Sequence, residues 1–296
     1  MKAVHGCWTA GALAVSLLFS GCSLIPVKRR LPIPKAPEVT QTVAPEELVT
    51  QLNQRWAKLE SLTATVDIQA SVIKSKEGVA KVYSARGHIL MRKPEMLRFF
   101  GQYLGVRIFD MASDGTRFTL RMPTKNMAIK GSNTLRKKSA NPMENMRPNA
   151  FYDAMVVRGL ELDDLYSVTA DTVTVEDAVR KHIFSVPRYI LSISRRKPHS
   201  QELIPVRVVY FHRDDLLPCQ QDIYDSEGNL ETQVIYTAYQ DFGQSRFPAQ
   251  VTIKRPLEDL EFVLTVETVQ ENLSPALKDD QFQIELPPGT EIQTLE

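Results

Sequence analysis

TATVDIQASV, residues 63–72, places Ala64, Val66, Ile68, Ala70 and Val72 on one side of an extended chain and Thr65, Asp67, Gln69 and Ser71 on the other. A period of two, apolar on one face and polar on the other, is the pattern of a strand buried on one side only. Beyond it, strand-like segments follow in quick succession at 81–92, 95–100, 106–112, 116–122 and 126–131, with Asp114-Gly115 as a hairpin signal between two of them. Gaps this short leave no room for crossover helices, so neighbouring strands must run antiparallel. Residues 132–150 interrupt the series with Asn141-Pro142 and Pro148, ahead of a helix expected at 149–157 and a helical turn near 161–166. A second series then runs through 170–176, 182–185, 188–195, 204–212, 219–224, 230–239, 247–255 and 260–270, with Glu227-Gly228-Asn229 marking one hairpin. No repeat relates the two series. The expectation is an α+β fold, one continuous and strongly curved antiparallel β-sheet covered on one side by a few helices, with a two-domain split near 132–150 left open.

Upstream, EELVTQLNQRWAKLESL (46–62) spaces Leu48, Leu52, Trp56 and Leu59 by four, four and three, with Glu46 and Glu47 at the positive end of the dipole. This is one amphipathic helix, whose apolar stripe is expected to cover the sheet that follows. Before it, Pro26, Pro32, Pro34, Pro37 and Pro45 describe an extended, semi-rigid spacer, and Lys28-Arg29-Arg30 lies where it can touch anionic headgroups. Earlier still comes ALAVSLLFSGCSLIP (12–26), uncharged, preceded by Lys2 and far shorter than the ~20 residues a membrane-spanning helix needs. Its ending, Leu18-Phe19-Ser20-Gly21-Cys22, resembles a bacterial lipoprotein signal in which the cysteine is acylated and becomes the mature terminus; Phe19 stands where Leu is usual. The chain therefore divides into a signal peptide (1–21), a lipidated Pro-rich tether (22–45) and a folded body (46–296).

With 36 basic and 35 acidic residues the chain is close to neutral, and its 43% hydrophobic content excludes disorder; neither suggests nucleic acid. Of three cysteines, Cys7 leaves with the signal and Cys22 is blocked by lipid, so Cys219 has no intramolecular partner and the fold must rest on its core. Catalysis finds no foothold. Outside the signal, His88, His182, His199 and His212 show no metal-ligand spacing, and the chain lacks a G-x-S-x-G elbow and a phosphate-cradling loop. The doublets Asp163-Asp164, Asp214-Asp215 and Asp279-Asp280 fall in turns, where Asp caps the backbone, and none has a calcium-loop rhythm. No catalytic residue, cofactor or metal is expected.

Two passages carry a resemblance. KPEMLRFFGQYLGVRIFDMASDGTRFTLRMPTKN (93–126) resembles the signature stretch of the LolA/LolB-like lipoprotein-carrier superfamily, through Pro94, Arg98, Phe99, Asp114, Gly115 and Pro123. FPAQVTIKRPLEDLEFVLTVETVQEN (247–272) is similar to its late hairpin, and DDQFQIELPPGTEI to its closing strand. The resemblance implies an open half-barrel around an apolar cavity that receives acyl chains of lipoproteins or phospholipid. The LolB-type acceptor is itself an outer-membrane lipoprotein facing the periplasm, supplied by a soluble carrier; Cys22 followed by Ser23 places this chain with it. An exposed Leu in a short loop corresponds to Tyr103-Leu104, a membrane or cargo contact. Candidate lining residues are Val66, Ile68, Ile89, Met91, Phe118, Leu120, Leu264 and Val266, although one face of each strand must also serve as plain core. The rival expectation is a structural or stress-sensing envelope lipoprotein whose barrel is filled by its own side chains and whose surface binds a protein; an enzyme comes third.

Overall fold

The two strand series become two meanders. The first is β1 (Ser61–Lys74), β2 (Val79–Arg92), β3 (Met96–Tyr103), β4 (Val106–Ser113), β5 (Arg117–Met122) and β6 (Met127–Ser132). The second is β7 (Leu165–Asp177), β8 (His182–Arg196), β9 (Leu203–His212), β10 (Pro218–Tyr224), β11 (Leu230–Phe242), β12 (Ser245–Arg255) and β13 (Leu260–Glu271). A short β14 (Glu291–Thr294) and two helices, α1 (Pro45–Lys58) and α2 (Pro148–Met155), complete the elements of a computed structural model that describes residues 40–74, 79–133, 147–177 and 182–295. Cys22, the signal segment and most of the Pro-rich spacer lie outside the described residues.

All fourteen strands form one open sheet in the order β14-β6-β5-β4-β3-β2-β1-β13-β12-β11-β10-β9-β8-β7. The meanders meet at a single seam, β1 against β13, from Leu62↔Glu271 to Val72↔Leu260. Every pairing is antiparallel except the last: β14 lies parallel to β6, so only the end of the expected closing segment is a strand.

The sheet curls tightly. β5 and β12 are six spacings apart, which on a flat sheet would be ~29 Å at ~4.8 Å each. Yet Arg147, at the start of α2, stacks on Phe118 of β5 at 5.3 Å and lines a small recess with Ile253 and Arg255 of β12. α2 is the clasp on this concave face: the Phe151 ring lies 4.9 Å from Phe99 of β3 and 5.1 Å from Phe262 of β13.

Three local expectations are corrected. α1 does not cover the sheet next to it in sequence: Leu48, Val49 and Leu52 pack on Tyr189, Leu191 and Ile193 of β8 and Val209 and Phe211 of β9. The concave face of β1 is already taken by α2, so only Trp56 and Leu59 reach the core of the first meander. The helical turn near 161–166 is absent; Asp164 accepts from the Glu161 N–H at 2.8 Å to close a turn, and β7 starts at Leu165. The strands at 182–185 and 188–195 are one, because Pro187 does not interrupt β8. Its carbonyl accepts from Arg213 N–H, so its missing N–H faces the β9 side, where the ladder has ended at Arg188↔His212.

The residues that carry the family resemblance serve construction. Arg98 grips the buried Asp110 with two hydrogen bonds of 2.9 and 2.8 Å and holds the Gln283 carbonyl at 2.6 Å, tying the C-terminal segment to β3. Asp114 accepts from the Thr116 and Arg117 N–H groups, and Gly115 takes φ +96° to turn β4 into β5. Pro123 opens a 3-10 turn (Pro123–Lys125) that ends in left-handed Asn126. Pro256–Glu258, ending in left-handed Asp259, builds the same turn between β12 and β13. Each meander thus ends in a like hairpin, a local repeat that only the proline betrays in sequence.

Candidate functional site

Val66, Ile68, Ile89, Met91, Phe118, Leu120, Leu264 and Val266 all fall on the concave face, each 5% exposed or less, and in one core with Phe151 of α2. The register explains their meeting: Val66 pairs with Val266, and Ile68 with Leu264. They are closely packed side chains, and none of them lines the mainly apolar pocket that α1, β11 and β12 enclose.

That pocket, about 400 Å³, opens at the end of the strands where β1 begins and β13 finishes. Leu52 and Trp56 of α1 with Leu59 just after it form one wall, Met155, Val156 and Val157 the back, and Tyr236, Tyr239, Phe247 and Pro248 of β11 and β12 the other wall. The volume lies in the range of small-molecule sites. The tyrosine hydroxyls of these walls are hydrogen-bonded. Tyr239 donates its hydroxyl to the Pro218 carbonyl at 2.9 Å, and Tyr236 accepts from Gln221 Nε2 at 2.5 Å. Burial raises both phenols above the ordinary tyrosine range, so they stay neutral. The Lys93 ammonium lies over the Trp56 ring at 4.3 Å.

The mouth is polar. Arg55 and Lys58 come from the last turn of α1, Arg246 from β12, and Glu271 and Asn272 from the end of β13. Asn272 locks this corner: its Oδ1 accepts from the Glu60 N–H at 2.7 Å, and its Nδ2 donates to the Lys58 carbonyl at 2.8 Å. The pocket escaped the sequence reading because its walls come from segments scattered over the chain. Its one visible trace was the apolar stripe through Leu52, Trp56 and Leu59.

Tyr103 and Leu104 lie at the opposite end of the strands, exposed by 57% and 87%. Leu104 (φ +48°) and Gly105 (φ +80°) form a two-residue hairpin loop with both residues left-handed, the geometry that normally selects Asn, Asp or Gly. A leucine there costs ~1–2 kcal/mol. Strain at an exposed apolar residue points to a use for it. Leu104 also has company: among the described residues, every large exposed apolar side chain except Val175 falls toward this far end, including Val82, Tyr83, Val106 and Leu257.

Cys219 is buried, and burial pushes its thiol up to about 11, so it behaves as a core residue. Carboxylates of two acidic doublets have partners. Asp214 and Asp215 accept from backbone N–H groups of their own turn, with the His212 ring close by, and Asp279 pairs with Arg92.

No family model and no curated protein matches this chain. Solved structures do. A LolA superfamily protein from Nitrosomonas europaea is 13% identical, TM-score 0.49, over 82% of this chain and 99% of that one. A DUF1329 family protein from Desulfovibrio piger is 13% identical, TM-score 0.50, over 80% and 95%. A domain described as an outer membrane lipoprotein-sorting protein, from Vibrio parahaemolyticus, is 12% identical, TM-score 0.49, over 80% and 94%. At such identities the likeness is one of fold. The open, curved antiparallel sheet, the architecture expected from the sequence, is shared with the Desulfovibrio piger protein.

Proposed function

We propose that this chain is a lipid-anchored, periplasm-facing protein of the outer membrane that holds acyl chains in the pocket between α1 and β11–β12, and takes part in lipoprotein localisation or lipid transport. The observation that carries this is a mainly apolar pocket of about 400 Å³ whose tyrosine hydroxyls already have hydrogen-bond partners within the protein. Each buried methylene contributes ~0.8 kcal/mol, so small differences in affinity suffice to pass a chain to or from a soluble carrier without nucleotide hydrolysis. The anchor would be Cys22. The body's first described residues leave beside Arg213, near the pocket end, where Gln41 N–H donates to the Arg213 carbonyl. At ~3.1 Å per residue a Pro-rich spacer reaches on the order of 50 Å, so either end of the half-barrel can meet the membrane.

Native mass spectrometry of the full chain purified from an envelope, followed by organic extraction, tests this reading. Co-purified phospholipid or acylated peptide is the expected result; a clean protein mass with no uptake of added lipid would sink it. The packed interior around Ile89 and Leu120 favours a second reading, a scaffold that binds a protein through its surface. It would gain from that negative outcome.

Leu104 would supply the contact with the membrane or cargo. Leu104→Asn, which relieves the left-handed leucine, is expected to raise stability by about 0.5–1 kcal/mol and to lower retention on phospholipid vesicles severalfold. Unchanged vesicle binding would show that the loop contacts something else.

A further inference from the structure

We infer that the pocket selects an acyl amphiphile with an anionic head, a phosphate or a carboxylate, over one with an uncharged head. This rests on the acyl-binding reading above and goes beyond it, because the acylated cysteine of a lipoprotein carries glyceryl esters and an amide but no anionic group at that position.

The mouth holds three cations and one carboxylate: Arg55, Lys58 and Arg246 against Glu271. All three cations have capacity to spare. Arg55 spends one donor on the Leu216 carbonyl at 3.2 Å, out of the five a guanidinium carries. Lys58 has no side-chain partner among the described residues. Arg246 meets Asp241 at 3.2 Å, but both side chains are more than half exposed, and such pairs are weak enough for a phosphate to compete. Arg55 and Lys58 also offset the dipole at the end of α1. Arg246 has no such duty, and it approaches from the facing wall. An amphiphile whose chain lies between Trp56 and Tyr239 would bring its head among these three groups. Glu271 opposes them least when protonated, and desolvation raises its carboxyl above the ordinary range.

The test uses the processed, lipid-anchored chain, which on the reading above has lost Trp8 with its signal and keeps Trp56 as its tryptophan, a reporter in the pocket wall. Lipids with brominated chains quench it on contact. Phosphatidylglycerol is expected to bind about tenfold more tightly than diacylglycerol with the same chains, and to weaken with salt. Arg246→Gln and Lys58→Gln should each weaken phosphatidylglycerol roughly two- to fivefold, with diacylglycerol unmoved, while Glu271→Gln should tighten phosphatidylglycerol. Brominated fatty acid binding as tightly as phosphatidylglycerol would keep the anionic selection and name a carboxylate as its source. Equal binding of phosphatidylglycerol and diacylglycerol would overturn the selection while leaving the acyl site standing. Failure of every lipid to quench would remove the acyl site itself. Inorganic phosphate displacing phosphatidylglycerol at comparable concentration would also overturn the inference, since the chain would then add nothing.

Discussion

Leu59→Trp and Val157→Trp are each expected to abolish the lipid adduct in native mass spectra, with affinity for added lipid falling at least about tenfold. Both residues line the pocket and neither is fully buried, so the indole takes up part of its open space instead of displacing packed atoms. Their melting temperatures should stay within a few degrees of the parent. Ile89→Trp is the informative contrast. Ile89 is 1% exposed and does not line the pocket, so overpacking there costs ~1–3 kcal/mol while the folded fraction keeps its lipid. Retention of lipid by Leu59→Trp together with loss in a folded Ile89→Trp would move the acyl site from the pocket into the sheet core.

The largest loss of stability should follow Phe151→Ala. Phe151 is 2% exposed and bridges β3 and β13 through its contacts with Phe99 and Phe262, so its removal opens a cavity under α2 where the sheet is drawn into a half-barrel. Truncating a buried Phe costs ~3–5 kcal/mol. At ~2–4 °C per kcal/mol for a body of this size, the melting temperature should fall by roughly 6–20 °C in a thermal denaturation series. Phe151→Leu, which keeps most of the volume, should lose less than half of that. A drop below about 2 °C for the alanine variant would mean that α2 is not the clasp.

The strands were legible because alternation is a local property: Ala64 to Val72 declare a half-buried strand whatever lies beside it. Asp114-Gly115 likewise declares its hairpin, since the carboxylate and the positive φ both act within four residues. Pro187 misled because its cost depends on which neighbour its missing N–H faces, a fact of pairing and not of composition. α1 was visible as a helix, but its partner was not, because an apolar stripe records that something is covered and says nothing of what. The pocket was least legible. Val157, Tyr239 and Phe247 are ordinary apolar residues in sequence, and only the curl of the sheet brings them together. The core residues proposed as lining sit on the concave face, where α2 occupies the space in front of them.

The single seam between the meanders also sets the order in which the chain can fold. β1 emerges early in synthesis, and its partner β13 follows about 200 residues later. Until then β1 presents a long bare edge of amide groups beside Val66 and Ile68, a template for pairing with other chains. Contacts of such wide separation close slowly, because the intervening chain must be ordered first. This half-barrel should therefore fold late and all at once, and be most prone to aggregate just before its last long strand arrives.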